Sequence, residues 1–160
     1  MSEVEENLDE MRLIQVTSYE ELELKPEQDK QISSIGRIQD ALKLKECLGY
    51  EAYLGEEKIG FALLREFEQR RFFLWNFIIA RKHQGQGYGK MFLEKLIKVM
   101  RDDLRATTLT TTYTFSNEVA RKLYDSCGFE ETDVVLEGST KEVNMVLLIQ
   151  SGWNHREVQT

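Results

Sequence analysis

Phe77-Ile78-Ile79-Ala80-Arg81-Lys82-His83-Gln84-Gly85-Gln86-Gly87-Tyr88-Gly89-Lys90 carries an apolar run through a glycine-rich turn into a helical pattern. The run begins at Phe72. In strand geometry Phe73, Trp75, Phe77 and Ile79 point one way, and Phe72, Leu74, Asn76, Ile78 and Ala80 the other. Apolar residues on both sides predict a central strand covered on both faces. Past the glycines, Phe92, Leu93, Leu96, Ile97 and Met100 recur at helical spacing, so a helix is expected over about 88–104. Glycine between two such elements lets the backbone approach a ligand with no Cβ in the way. The helix start adds unpaired N–H groups and the positive end of the helix dipole, and together these suit phosphate.

Outward from this stretch, residues 11–16 read as a first strand. Residues 18–46 are helical in character, interrupted near Pro26 and around Ser33 to Gly36, with Ile35, Ile38, Ala41, Leu42 and Leu48 along an apolar stripe. Residues 50–54 and 59–66 read as a hairpin around the turn 55–58, and 68–71 turn into the central strand. Downstream, 107–114 is β-branched and predicts a strand. Ser116 is expected to cap a helix that runs to Ser126 and ends at Gly128. Residues 134–136 and 142–149 close a hairpin around Gly138. The predicted fold is α+β, a central mixed, mostly antiparallel sheet flanked by helices, with a βαβ core around the glycine loop. One domain is expected over 10–150, with a flexible acidic segment 1–9 and a flexible tail 151–160.

Composition narrows the function. With 160 residues, 41% hydrophobic and 31% charged, the chain can bury a core and stay in solution. Its longest mostly apolar run, 72–80, is far short of the roughly 20 residues a membrane span needs. The start Met-Ser-Glu-Val-Glu-Glu is the opposite of a basic signal peptide, so a cytoplasmic location is expected. Cys47 and Cys127 form no metal or redox spacing, and with only His83 and His155 beside them no zinc cluster and no other metal site is expected. A formal charge of −7 argues against nucleic acid as a partner. The charge is uneven: residues 1–29 hold ten acids against Arg12 and Lys25, whereas 69–93 hold no acid and carry Arg70, Arg71, Arg81, Lys82 and Lys90. A basic window in an acidic chain suggests a local anionic ligand.

Three phosphate motifs compete for the glycine turn. A Walker A loop fails, since Met91 follows Gly89-Lys90 and Gln84 stands where its first glycine belongs. The dinucleotide fingerprint fails as well, since Lys90 stands at its third glycine. Gln/Arg-x-x-Gly-x-Gly/Ala does fit, as Gln84-Gly85-Gln86-Gly87-Tyr88-Gly89. After the next strand come Asn117, Val119-Ala120-Arg121-Lys122-Leu123-Tyr124 and Cys127-Gly128-Phe129. With these two blocks in this order, the chain resembles the GNAT superfamily of acyl-CoA-dependent N-acyltransferases over about residues 72–149.

The resemblance implies that amides of Gln84, Gly85, Gln86, Gly87, Tyr88, Gly89 and Lys90 hold the CoA pyrophosphate. It implies that the strand edge at Phe77, Ile78 and Ile79 pairs with the pantetheine arm where two strands splay, a splay no sequence reveals. Tyr124 is similar to the family's general acid, which protonates the departing CoA thiolate. Asn117 either caps its helix or bonds the pantetheine arm, and Val119 and Leu123 are expected to pack on the sheet. Some polyamine acetyltransferases of the superfamily place a glutamate base on the strand before the loop. Here Trp75 and Asn76 stand there, which leaves Glu66, Glu68 or a water chain as alternatives. His83, inside the loop, is expected to fill space or touch phosphate.

A looser resemblance, through Leu22-Glu23-Leu24-Lys25-Pro26-Glu27-Gln28, Ser33 and Leu74-Trp75, is to bacterial diamine and polyamine N-acetyltransferases. It implies an acidic site for a polycation, with Glu23, Glu27 and Asp29 as candidates and Glu27 and Glu66 as the substrate-contacting pair; Arg37 and Gln39 depart from a uniformly acidic pocket. The expected activity is direct acetyl transfer from acetyl-CoA to a primary amine such as spermidine, without an acyl-enzyme. Another amine (a protein N-terminus, a lysine or a drug), a non-catalytic acyl-CoA sensor, and a nucleotide binder are the alternatives. Similar proteins are usually homodimers; residues 143–149 are apolar enough either to pair two copies or to form a core strand.

Overall fold

The computed structural model describes residues 11–23 and 35–149. In chain order it contains β1 (Met11–Val16), α1 (Ile35–Leu42), β2 (Cys47–Leu54), β3 (Glu57–Glu68), β4 (Arg71–Ile79), a 3-10 turn (Arg81–His83), α2 (Tyr88–Asp102), β5 (Thr108–Thr114), α3 (Glu118–Ser126), β6 (Glu130–Glu137) and β7 (Thr140–Leu148). The strand order is β1-β2-β3-β4-β5-β7-β6. β4 and β5 are parallel, while β1–β2, β2–β3, β5–β7 and β6–β7 are antiparallel. This is the mixed, mostly antiparallel sheet expected, and β4-α2-β5 is its βαβ unit, since parallel neighbours need a crossover. The expected break at Pro26 and the segments 1–9 and 151–160 lie outside the described residues; of the second expected break, Ser33 to Gly36, Ile35 and Gly36 belong to α1, and residues 18–23, expected to be helical, hold no helix.

The chain divides into two compact units, Met1–Arg65 with Asn76–Phe92, and Glu66–Trp75 with Leu93–Thr160. In the first, β2 and β3 form a hairpin in which Gly49 pairs with Leu63 and Glu51 with Phe61. Its core gathers Tyr19, Leu22, Ile38, Ala41, Leu42, Cys47, Phe61, Leu63, Ile78 and Ala80, with Val16 at the margin. Ile38 and Phe61 are fully buried, each contributing about 1.5–3 kcal/mol by that burial. Close packing explains Gly60: a Cβ there would lie 2.8 Å from the Ile78 carbonyl oxygen and 3.0 Å from the Phe92 ring.

In the second unit, Leu109, Thr111 and Tyr113 of β5 pair across from Leu147, Met145 and Val143 of β7, and all six are buried. β7 is flanked by β5 and β6, so it is a core strand and both its edges are taken. That decides the question residues 143–149 left open. β6 is the outer strand and is exposed along its whole length.

Three local expectations are corrected. β4 is sealed on one side only: Phe72, Leu74, Asn76 and Ile78 are buried, whereas Phe73, Phe77 and Ile79 are half-buried and Trp75 is 39% exposed. Alternation reveals the two faces but not how much of each a helix covers. The helix after β5 is capped by Asn117, whose side-chain Oδ1 accepts the Ala120 N–H at 3.1 Å, and not by Ser116. Val119 does not pack on the sheet; it is 82% exposed and Leu123 is half-buried. The inward line runs through Tyr124 and Cys127, four and seven residues after Ala120, because that spacing keeps one helical face.

Candidate active site

β4 delivers the chain into the glycine loop. Ala80 N–H bonds the Ile59 carbonyl at 2.8 Å and Arg81 N–H the Glu23 carbonyl at 2.7 Å, so the strand end is anchored from two directions. One 3-10 turn follows, closed by His83 N–H to Ala80 O at 2.9 Å. Gln84 Nε2 donates back to Ile79 O at 2.8 Å, and Gln86 Nε2 to Lys82 O at 2.9 Å. These side-chain bonds tie the loop to itself, while Gly85 (φ +74°) and Gly87 (φ +87°) take a backbone form that L side chains rarely adopt. A Cβ at either would meet nothing within 4 Å, so both face open space. Tyr88 then opens α2, and Met91 N–H is already bonded to Gly87 O at 3.3 Å. The amides of Tyr88, Gly89 and Lys90 precede the first intrahelical bond and form the anion-binding end of the helix. The loop thus has what a pyrophosphate needs.

The basic window is less free than its sequence implies. Arg71 pairs with Glu68 at 2.8 Å, Arg81 with Glu23 at 3.7 Å, and Lys82 with Glu57. Lys90 has no carboxylate partner among the described residues. Glu57, at the start of β3, also lies 3.3 Å from His83 Nε2, and Lys82 and then His83 hold its carboxyl below the usual range. The His83 ring meets Tyr88 edge-on at 5.9 Å, so it fills space inside the loop. Sequence reasoning missed Glu57, which is 25 residues upstream of Lys82 and marked by no spacing.

In the second unit the β4–β5 ladder is short, pairing Arg71, Phe72 and Phe73 with Thr108, Leu109 and Thr110. The next β4 carbonyl, Leu74 O, accepts instead from the Thr111 hydroxyl at 3.3 Å. The Thr111 hydroxyl also lies close enough to the Tyr124 phenol to bear on its protonation, which puts Tyr124 near the end of that ladder. The tyrosine is held there by the helix terminus. Gly128 N–H bonds Asp125 O at 3.0 Å and Phe129 N–H bonds Tyr124 O at 3.1 Å, with Gly128 at φ +97°. That is a Schellman terminus, and its accompanying apolar contact is the Phe129 ring, 5.4 Å from that of Tyr124. The Cys127-Gly128-Phe129 block therefore has a physical reason: it seats Tyr124. Burial pushes the Tyr124 phenol up, partly offset by the nearby Thr111 hydroxyl, so it carries its proton at neutral pH.

Phe77, Ile78 and Ile79 lie at the C-terminal end of β4, beyond the paired residues Arg71 to Phe73. Asn117 acts as the helix cap described above. Glu66 accepts the Arg70 N–H at 2.7 Å, supporting a residue with φ 61°, and Glu68 holds Arg71, so both carboxylates brace the β3–β4 turn. Asn76 is buried, and Glu27 and Asp29 lie outside the described residues. No group of three or more His, Cys, Asp or Glu able to hold a metal occurs among the described residues, and no helix there is long and apolar enough to cross a membrane.

A family model described as "Acetyltransferase (GNAT) family" matches residues 8–129. Among curated proteins the chain is 37% identical over 73 residues to the uncharacterized N-acetyltransferase YycN of Bacillus subtilis (strain 168). That match covers 44% of this chain and 45% of YycN, so it spans under half of that protein's length. A GNAT family acetyltransferase from Elizabethkingia anophelis, solved with acetyl-CoA bound, superposes with a TM-score of 0.68 at 20% identity, covering 88% of this chain and 99% of that one. A mutant form of the spermidine N-acetyltransferase SpeG of Vibrio cholerae gives a TM-score of 0.63 at 20% identity over 72% of this chain and 75% of that one. At such identities the two structures show a shared fold.

Proposed function

The chain belongs to the acetyltransferase (GNAT) family, and on that premise we propose that it transfers the acetyl group of acetyl-CoA directly to a primary amine, with a diamine or polyamine such as spermidine as acceptor. The observation that carries the donor half is the open glycine loop, where Gly85 and Gly87 at positive φ lead into the N-terminus of α2. In this reading amides from Gln84 to Lys90 take the pyrophosphate, and the β4 edge at Phe77, Ile78 and Ile79 pairs with the pantetheine arm as a strand would. Asn117 keeps its capping role. Tyr124 is the general acid that gives its proton to the departing CoA thiolate, with the Thr111 hydroxyl and the Phe129 ring beside it.

The acceptor half rests on charge and on the likeness to SpeG. A net charge of −7, with ten acids in residues 1–29, favours a polycation over an anionic or neutral amine. Glu27 belongs to this part of the reading; Glu66 does so only if it exchanges its turn bond for substrate. Catalysis in a cytoplasmic homodimer completes the proposal.

The test is thiol release from acetyl-CoA across spermidine, spermine, putrescine, aminoglycosides and short peptides, against a no-amine blank. Release with the polyamines is the expected result. Release with peptides or aminoglycosides alone replaces the acceptor. Acetyl-CoA binding with no release on any amine makes the chain a sensor.

A further inference from the structure

Glu57 stands outside the glycine loop in sequence, yet it touches two consecutive loop residues. Its contact with Lys82 joins side chains that are 46% and 72% exposed, and such a pair contributes little in water. Its contact with His83 is different. The His83 side chain is 14% exposed, its Nε2 atom is fully buried, and Glu57 Oε1 lies 3.3 Å away, short of a well-aligned hydrogen bond. The same ring rests edge-on against Tyr88, the first residue of α2. His83 therefore links the turn before Gly85 and Gly87 to the helix start after them, and Glu57 is the carboxylate that faces its buried nitrogen. Between those two fixed points lie the open positions meant for phosphate.

We propose that Glu57 is a positioning residue for acetyl-CoA, holding the His83 imidazole so that the glycine loop and the first turn of α2 keep their phosphate-receiving geometry. This rests on the reading of the loop as the CoA site. The buried Nε2 already lacks a well-aligned hydrogen bond, and the Glu57 carboxylate 3.3 Å away is the polar group that faces it; removing that carboxylate leaves the nitrogen with neither, a loss that a shift of the ring relieves, and the ring's neighbours in that shift are the loop and Tyr88. Lys82 is the lesser half of the clamp because water replaces Glu57 there at small cost. A side chain that keeps length and a polar end should therefore keep most of the function, and its formal charge should matter less than its place.

The experiment measures acetyl-CoA affinity by titration calorimetry, together with kcat and KM, for the full chain and for Glu57→Ala, Glu57→Gln, His83→Phe and the Glu57→Ala/His83→Phe pair. Glu57→Ala should weaken acetyl-CoA about tenfold in both affinity and KM, with kcat at saturation within about twofold. Glu57→Gln should stay within about twofold of the parent. In the His83→Phe background, Glu57→Ala should add nothing, the non-additivity expected of two residues acting as one unit. Unchanged affinity in Glu57→Ala, or additive losses in the pair, overturns the proposal. Tighter binding in both Ala and Gln also overturns it, because Glu57 would then merely compete with phosphate for Lys82. Should the parent chain bind neither acetyl-CoA nor CoA, the donor-site reading fails and takes this one with it; a parent that binds normally beside unaffected variants condemns this one alone. Melting curves identify a variant that fails to fold; should Glu57→Ala be one, Glu57→Val, which keeps a strand-forming side chain and removes the polar end, takes its place with the same expected loss of about tenfold, and unchanged affinity there overturns the proposal.

Discussion

Tyr124 shows how a single side chain is prepared by its surroundings. Burial favours the neutral phenol, and the Thr111 hydroxyl and the Phe129 ring lie against it. As the proposed general acid it should matter to turnover and not to donor binding. Tyr124→Phe, which keeps the ring packing, should lower kcat about 100-fold while acetyl-CoA affinity is unchanged; turnover at the parent rate would remove the acid role. A neighbouring phenol makes a second, independent prediction. Tyr113 donates to Glu131 Oε1 at 2.7 Å, and burial together with that carboxylate pushes its pKa up to about 12. The folded value lies above the unfolded one of about 10, so this stabilisation is fully present below about pH 10 and is lost as pH rises toward about 12. Urea midpoints should be flat near neutrality and fall across that alkaline window, and Tyr113→Phe should make the fall shallower. Tyr124 was legible because a helical motif points to it. Thr111 was not, for it is one of five threonines within residues 107–112, and only strand pairing decides which of them faces Tyr124.

Elements were easier to read than their packing. The bounds of β1 agree with the expected 11–16, and the starts of α2 and β5 fall within a residue of expectation. Hydrophobic periodicity and glycine punctuation are local signals, and such elements obey them. The faces were harder. Val119 looks like a packing residue by composition, yet it is 82% exposed, because the face of the helix that turns inward runs through Tyr124 and Cys127 instead. Gly60 offers a test of packing between strands and helix. Its place in β3 opposes the Ile78 carbonyl and the Phe92 ring too closely for a methyl group. Gly60→Ala should destabilise the protein by about 1–3 kcal/mol, read as a lowered denaturant midpoint at constant m-value. A variant as stable as the parent would mean that α2 gives way without cost.

At the scale of the whole molecule, charge is the property that reaches farthest. A chain of −7 attracts a polycation before any contact forms, and salt screens that attraction over about 8 Å at physiological ionic strength. If polyamines are the acceptors, kcat/KM should fall as salt rises from about 10 mM to about 150 mM, more steeply for spermine than for putrescine. Equal slopes would indicate that their amines are recognised by local contacts alone. The acidic composition also bears on association: β6 is the exposed outer strand, and Glu130, Glu131, Asp133 and Glu137 on it oppose edge-to-edge pairing with an identical strand.

From residues alone came the α+β class, the strand, glycine loop and helix in sequence, the helix that carries Tyr124, and hence the family. These depend on neighbours within one or two turns of chain, and a linear pattern records them. Only the tertiary structure decided that the β4–β5 ladder ends at Phe73, that β7 is interior, that Thr111 lies beside Tyr124, and that Glu57 faces His83. Each of these joins residues on different elements, or depends on which strand lies beside which. Such pairings are set by the packing of whole elements, which no local pattern encodes.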